Sequence, residues 1–167
     1  NIKSNKILWE LWILILFKKN FKNKKIIVKK ILLTGSTGFI GSAVLKKLSK
    51  KNIIFCINRR KNNNLKINRN INNIHFKNYN QLNLILKKIK VDAVIHCATH
   101  YVKTHTHDDI KKLTDTNLLF GNIILDNLQN MNVKTFINLS TVWENYDGIK
   151  DNYFNLYSVY KKNFLVF

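Results

Sequence analysis

The stretch ILLTGSTGFIGSAVL, Ile31 to Leu45, carries three evenly spaced glycines between an apolar run and a helix-like pattern. Residues of this type and spacing can hold a phosphate. Gly35 allows a tight turn, Gly38 lets the backbone approach a pyrophosphate, and Gly41 lets helix and strand pack closely. The helix beyond them offers unpaired N–H groups and the positive end of its dipole. Alone, the triple equally describes an ordinary strand-turn-helix. His96, His100, His105 and His107, followed by Asp108 and Asp109, have the residue types of a metal site. Two Tyr-x-x-x-Lys pairs also stand out. Tyr146 and Lys150 lie in YDGIK, where Asp147 and Gly148 predict a turn. Tyr157 and Lys161 lie in NLYSVYKKNF, which has no breaker, and residues four apart on a helix share a face.

Positioning such groups needs a regular framework, and the chain supplies one from Lys29 onward. KKILLT reads as a buried strand, and Ile40, Val44, Leu45 and Leu48 share one face of a helix running to about Lys50. NIIFCIN reads as a second strand, followed by a polar, Asn-rich stretch from Arg59 to Asn73. A short strand is predicted at Ile74 to Phe76, a helix from about Gln81 to Ile89, and a strand at VDAVIHCA. Asp108 to Asn130 reads as one long helix, KTFINLS as a strand, and NLYSVYKKNFLVF as the start of a helix. Strands alternating with helices imply parallel pairing through right-handed crossovers, hence an α/β fold with a doubly wound, Rossmann-like parallel sheet.

At 167 residues the chain accommodates one domain with a substantial core, and its 46% hydrophobic content excludes a disordered chain. The net charge of +20 would by itself suggest a nucleic acid partner. The excess lysine comes with abundant Asn and Ile, no Pro and only 5 Gly, a pattern of coding bias rather than of a basic patch. No nucleic-acid partner is therefore expected. Cys56 and Cys97 lie in apolar strand-like runs, which argues against a disulfide scaffold and for a reducing cytoplasm. ILWELWILILF, Ile7 to Phe17, is too short for a spanning helix, which needs about 20 residues, and Glu10 interrupts it. The expected organisation is an apolar and basic extension over residues 1–27, with a membrane-surface helix as the alternative reading, and a folded domain over residues 28–167.

Taken together, TGSTGFIG, DAVIHCA (Asp92 to Ala98), TNLLFGNIILDNL with Asn117 and Gly121, FINLSTVWENY and Tyr157-x-x-x-Lys161 resemble, in order, the motifs of the extended short-chain dehydrogenase/reductase superfamily of sugar-nucleotide epimerases and dehydratases. The segment from Ser140 onward resembles O-antigen enzymes of the CDP-abequose and CDP-paratose synthase type, which reduce a 4-keto sugar. This resemblance implies Thr141 as the hydroxyl that orients substrate, with Ser140 in reserve. It implies Tyr157 as the group that moves the substrate hydroxyl proton, and Lys161 as the cation that lowers the phenol's pKa and holds the nicotinamide ribose.

The resemblance implies cofactor contacts from Gly35, Thr37, Gly38, Phe39, Ile40 and Gly41. Cys97, Ala98, Thr99, Asn117, Tyr157 and Lys161 join them, and Asn78 stands where relatives often carry an adenine-touching Asp. It places His96 in a strand and the other histidines in a loop over the substrate, so no metal is expected. After the second strand, an acidic residue would favour NAD and an arginine NADP. The chain reads INRRK there, so Arg59 and Arg60 point to NADP, with NAD possible. The superfamily normally continues well beyond the Tyr-x-x-x-Lys pair, whereas this sequence ends at Phe167. The expectation is the cofactor-binding portion of an NAD(P)-dependent enzyme acting on a nucleotide-sugar, lacking the substrate domain, marginally stable, and homodimeric in its full-length form. A non-catalytic nucleotide-binding module or a decayed gene fragment is the rival reading.

Overall fold

The computed structural model describes residues 28–59 and 69–162. The predicted extension over residues 1–27, and Arg60, lie outside the described residues. Five parallel strands form one sheet: β1 (Lys30–Thr34), β2 (Ile53–Asn58), β3 (Ile71–His75), β4 (Ala93–His96) and β5 (Thr135–Asn138), in spatial order β3-β2-β1-β4-β5. The pairing Leu33↔Cys56 and Leu33↔Ile95 fixes the register of the central three. Helices α1 (Phe39–Leu48) and α2 (Tyr79–Lys88) follow β1 and β3. Between β4 and β5 run α3 (His107–Leu113), a π-helical segment (Thr114–Leu119) and α4 (Phe120–Asp126). A 3-10 segment (Val142–Gly148) precedes α5 (Leu156–Lys162).

Alternation along the strands feeds two cores. Leu32, Ile57 and Val94 face one side and pack with Leu82, Leu86, Phe120, Ile124 and Met131. Ile31, Leu33, Ile54, Cys56 and Ile95 face the other and pack with Val44 and Leu45 of α1. A strand covered on both faces reads as a continuous apolar run, which is why KILLT was legible as a strand.

Two elements depart from the sequence expectation. The third strand spans Ile71 to His75 rather than Ile74 to Phe76. As an edge strand it offers one apolar residue to each core, Ile74 to one and Ile71 to the other, and Asn72 and Asn73 between them mask its pattern. The predicted helix over Asp108 to Asn130 is broken in character: it begins at His107, widens into the π-helical turn, and ends at Asp126. Its start is fixed by Asp109, whose carboxylate accepts from the Thr106 N–H at 3.0 Å and the Thr106 hydroxyl at 2.9 Å. These hydrogen bonds hold the Asp109 carboxyl below the usual carboxylate range.

Candidate functional site

In this strand order the chain winds one way from β1 to β2 and β3, and the other way from β4 to β5. The carboxyl ends of β1 and β4 therefore border a crevice, the place where open α/β sheets bind ligands. A cleft of about 1210 Å³ occupies it, walled by the glycine turn, Asn58 and Arg59 at the end of β2, Cys97 to Tyr101 after β4, and Lys112, Asp115, Thr116 and Phe120 opposite.

The glycine turn is built by close backbone approach. Gly35 has φ +66°, and a Cβ on it would meet Ala98 N at 2.6 Å, so the turn lies flat against the end of β4. A Cβ on Gly41 would sit 2.0 Å from Gly35 O, so α1 can start directly behind the turn only with glycine there. Gly38 is the N-cap of α1 and no side chain caps the helix. Its first N–H groups thus border the cleft without a side-chain acceptor, beside Thr37, the largely exposed Phe39 and Ile40. That cradle fits a diphosphate.

Below the turn, Thr34 ties β1 to β4. Its hydroxyl oxygen accepts from Ala98 N–H at 3.1 Å and lies 2.9 Å from His96 Nδ1. Burial, assisted by the Lys161 charge, pushes His96 down to about 3, so it is neutral. Asp109 is taken up by its helix cap, and among the described residues no group of three His, Cys, Asp or Glu side chains is placed to hold a metal ion.

Arg59 lines the cleft and donates to Thr116 Oγ1 at 2.9 Å, which joins the end of β2 to the π-helical segment. Asn58, which sequence reasoning missed, closes the same corner: it accepts from Ser36 Oγ at 3.1 Å and donates to Asn73 Oδ1 at 2.6 Å. Asn78 does not line the cleft. Its side chain accepts from Gln81 N–H at 2.9 Å as the N-cap of α2, a structural job that accounts for its residue type.

Asn117 likewise stands behind the wall rather than in it. Buried in the π-helical segment, its Oδ1 accepts from Thr99 Oγ1 at 3.1 Å and His100 N–H at 2.7 Å, and its Nδ2 donates to His100 O at 2.8 Å. One amide thereby fixes the loop that carries Thr99, His100 and Tyr101. A π-turn displaces a side chain from the α-helical register, and such turns recur at functional sites.

Tyr157 and Lys161 both fall on α5, as their spacing predicted, while Tyr146 lies in the kinked 3-10 segment and its Asp147 neighbour has φ +55°. Asn155 starts α5: its Oδ1 accepts from Ser158 N–H at 3.0 Å, and its Nδ2 donates to Lys103 O at 2.9 Å, which ties α5 to the β4–α3 loop. The Tyr157 ring stands edge-on to Tyr101 at 5.2 Å and to Trp143 at 6.4 Å, and Tyr101 and Trp143 are 5.5 Å apart. Burial pushes the Tyr157 phenol up, and a hydrogen bond with Thr99 opposes the shift. Tyr157 thus adjoins the cleft through two of its wall residues, Thr99 and Tyr101.

Lys161 is 3% exposed and acts on Cys97 and His96 at the end of β4 rather than on the phenol. Burial lowers it to about 8, while the Cys97 and Glu144 sides oppose the drop. The Cys97 thiol itself is pushed up to about 12 by burial. The Thr141 hydroxyl oxygen accepts from Trp143 N–H at 3.3 Å at the start of the 3-10 segment, and Thr141, like Lys161, is not among the residues that wall the cleft. Ser140 instead donates to the buried Glu144 carboxylate. Glu144 carried no signal in the sequence, because nothing in STVWENY marks it as pointing inward.

The comparisons with known proteins agree with this architecture. The model of the NAD dependent epimerase/dehydratase family matches residues 31–161. The chain is 34% identical to a dTDP-D-glucose 4,6-dehydratase of Dictyostelium discoideum, over 68% of this chain and 29% of the relative. It is 32% identical to a CDP-abequose synthase of Yersinia pseudotuberculosis, over 69% of this chain and 40% of that protein. It therefore spans less than half the length of these curated relatives. Among solved structures, the Bordetella bronchiseptica enzyme WbmH in complex with NAD+ superposes with a TM-score of 0.67 at 22% identity, over 81% of this chain and 50% of that one. A UDP-glucose 4-epimerase gives 0.70 at 17% identity, over 82% of this chain and 45% of that one, so the fold is shared. Among the described residues no helix is long and apolar enough to cross a membrane. With glycine cradle, sheet order and motif order all in agreement, the chain belongs to the NAD dependent epimerase/dehydratase family.

Proposed function

We propose that this chain is the cofactor-binding part of an NAD(P)-dependent enzyme that modifies the hexose of a sugar nucleotide, with Tyr157 as its proton-transfer group. One observation carries the reading: the glycine cradle and the Tyr157 phenol adjoin a single cleft, linked through Thr99 and Tyr101. Both curated relatives are named for acting on nucleotide-linked sugars, which supports a nucleoside diphosphate hexose as substrate class.

In this reading the α1 N-terminus and Gly35, Thr37, Gly38, Phe39, Ile40 and Gly41 bind the diphosphate, and Cys97, Ala98 and Thr99 form the opposite wall. Arg59 stands at the end of β2, where the sequence INRRK carries an arginine in place of an acidic residue, and supports a 2′-phosphate and hence NADP. The bound nicotinamide would supply a hydride acceptor or donor. Thr141 offers its hydroxyl to a substrate oxygen, and Tyr157 gives or takes the proton at the reacting oxygen. The raised phenol keeps Tyr157 protonated at neutral pH, the form suited to proton donation during reduction of a ketone. Lys161 contributes positive charge beneath the end of β4, and Asn117 acts through the loop it holds. Two buried, free cysteines support a reducing compartment such as the cytoplasm.

The test is calorimetric titration of the purified chain with NADPH and NADH, beside a Gly38→Asp variant. The expected result is NADPH binding in preference to NADH, abolished in the variant by a carboxylate among the phosphate-facing N–H groups. A folded chain that binds neither cofactor overturns the reading.

A further inference from the structure

Tyr101 lines the cleft with half of its surface exposed, yet its backbone is tied down on both flanks. On one side Asn117 of the π-helical segment holds the N–H and C=O of His100 at 2.7 and 2.8 Å. On the other, Nδ2 of Asn155, at the start of α5, donates to Val102 O at 3.4 Å and Lys103 O at 2.9 Å. Trp143 is anchored by the chain that follows the 3-10 segment: Phe154 N–H donates to its carbonyl at 3.2 Å, and the two rings lie 4.9 Å apart. Between these fixed points three rings meet. Tyr157 is T-shaped to Tyr101 and to Trp143, with interplanar angles of 80° and 86°, and those two lie 5.5 Å from each other. Edge-on pairs at such separations are attractive and directional, because the positive edge of one ring seeks the negative face of the other.

A helix leaves a long side chain two χ1 wells, at about 180° and about −60°, so α5 by itself does not decide where the Tyr157 phenol points. Its neighbours on α5 are committed elsewhere. Ser158 is taken up in the turn with Asn155, and the Tyr160 hydroxyl lies 3.1 Å from that of Thr114 on the π-helical segment. We propose that Tyr101 and Trp143 are positioning residues for Tyr157: an aromatic bracket that admits one χ1 well and holds the phenol at the wall of the cleft. A reacting group fixed before its ligand arrives needs no ordering on binding. That consequence rests on the function proposed above; the bracket itself does not.

The χ1 state of Tyr157 is read from three-bond couplings of its Cγ to the backbone nitrogen and carbonyl carbon, in the purified chain labelled with 13C and 15N. The Tyr157 signals are identified by their absence in Tyr157→Phe. The wild-type chain is expected to show the couplings of a single rotamer. Tyr101→Leu and Trp143→Leu are each expected to lose them, with both couplings drawn to values averaged over two wells. Tyr101→Phe and Trp143→Phe, which keep a ring, are expected to restore the single rotamer; leucine fills space without an edge-on partner, so packing alone would not separate the two substitutions. A single rotamer retained in either leucine variant overturns the proposal, as does averaging in the wild-type chain or in Tyr101→Phe. Should Trp143→Leu not fold, Tyr101→Leu, at the half-exposed position, decides alone. The couplings are measured without cofactor, so a chain that binds neither NADPH nor NADH sinks the proposed function while the Tyr157 rotamer still decides the bracket.

Discussion

Gly41 shows how much of this site depends on a missing side chain. The 2.0 Å separation that a methyl group at this position would have from Gly35 O is far inside van der Waals contact, and the atom it meets is backbone that cannot swing aside. Gly41→Ala is therefore expected to lose about 3 kcal/mol in urea unfolding, the upper range of overpacking costs, and to weaken cofactor binding because the cradle must open. A stability unchanged within error would contradict the close approach. Thr99 offers a second test. Its hydroxyl opposes the upward shift of the Tyr157 phenol, so Thr99→Val is expected to raise the alkaline midpoint of the Tyr157 absorbance change while leaving the fold intact. These residues differ in how visible they were. The glycines and the Tyr157–Lys161 pair declare themselves because turn and helix geometry tie their spacing to their placement. Glu144 and Asn58 do not, because their burial is decided by the segments that fold over them.

At the scale of elements, the π-helical turn has the largest consequence and was invisible in the sequence. TDTNLL carries no breaker, and a widened turn changes neither the apolar period nor the length of the helix enough to register. Its effect is to bury Asn117 with three hydrogen bonds to the Thr99–His100 loop. Asn117→Ala leaves the His100 N–H and C=O without those partners, at about 1–3 kcal/mol for each group stranded away from water. The expected outcome is a loss of about 2–3 kcal/mol in chemical denaturation together with loss of hydrogen-exchange protection at the His100 amide. Retained protection there would show that the loop is held by something else. The edge strand β3 was misplaced for a related reason: its apolar residues are divided between two cores, so neither period nor run length marks it. The buried strands β1, β2 and β4 were legible because both faces demand apolar residues.

For the whole molecule, three buried titrating groups clustered at the end of β4 determine how stability depends on pH. His96 binds a proton at about 3 when folded and at 6.5 in its ordinary state, so the unfolded chain takes up more protons between those values and stability falls on acidification through that window. Lys161 is lowered from 10.5 to about 8, so the cost of burying its charge is present below pH 8 and is relieved as pH rises from 8 to 10.5. Cys97 is raised from 9.0 to about 12, so above pH 9 the unfolded chain releases a proton that the folded chain keeps, and stability falls. Between pH 9 and 10.5 the last two slopes are equal and opposite. Urea unfolding at constant ionic strength is thus expected to show a rise from pH 3 to 6.5, a flat region to pH 8, a further gain of about 1 kcal/mol by pH 9, no further gain to pH 10.5, and a fall beyond it, where the Cys97 difference persists. Cys97→Ala removes the opposing slope and should extend the alkaline rise toward pH 10.5. Lys161→Met should abolish the rise, since the group that titrates across it is gone. A profile without a step between pH 8 and 9 in the wild-type chain would mean that Lys161 does not carry a buried charge beneath the end of β4, and the electrostatic basis for its part in cofactor binding would go with it.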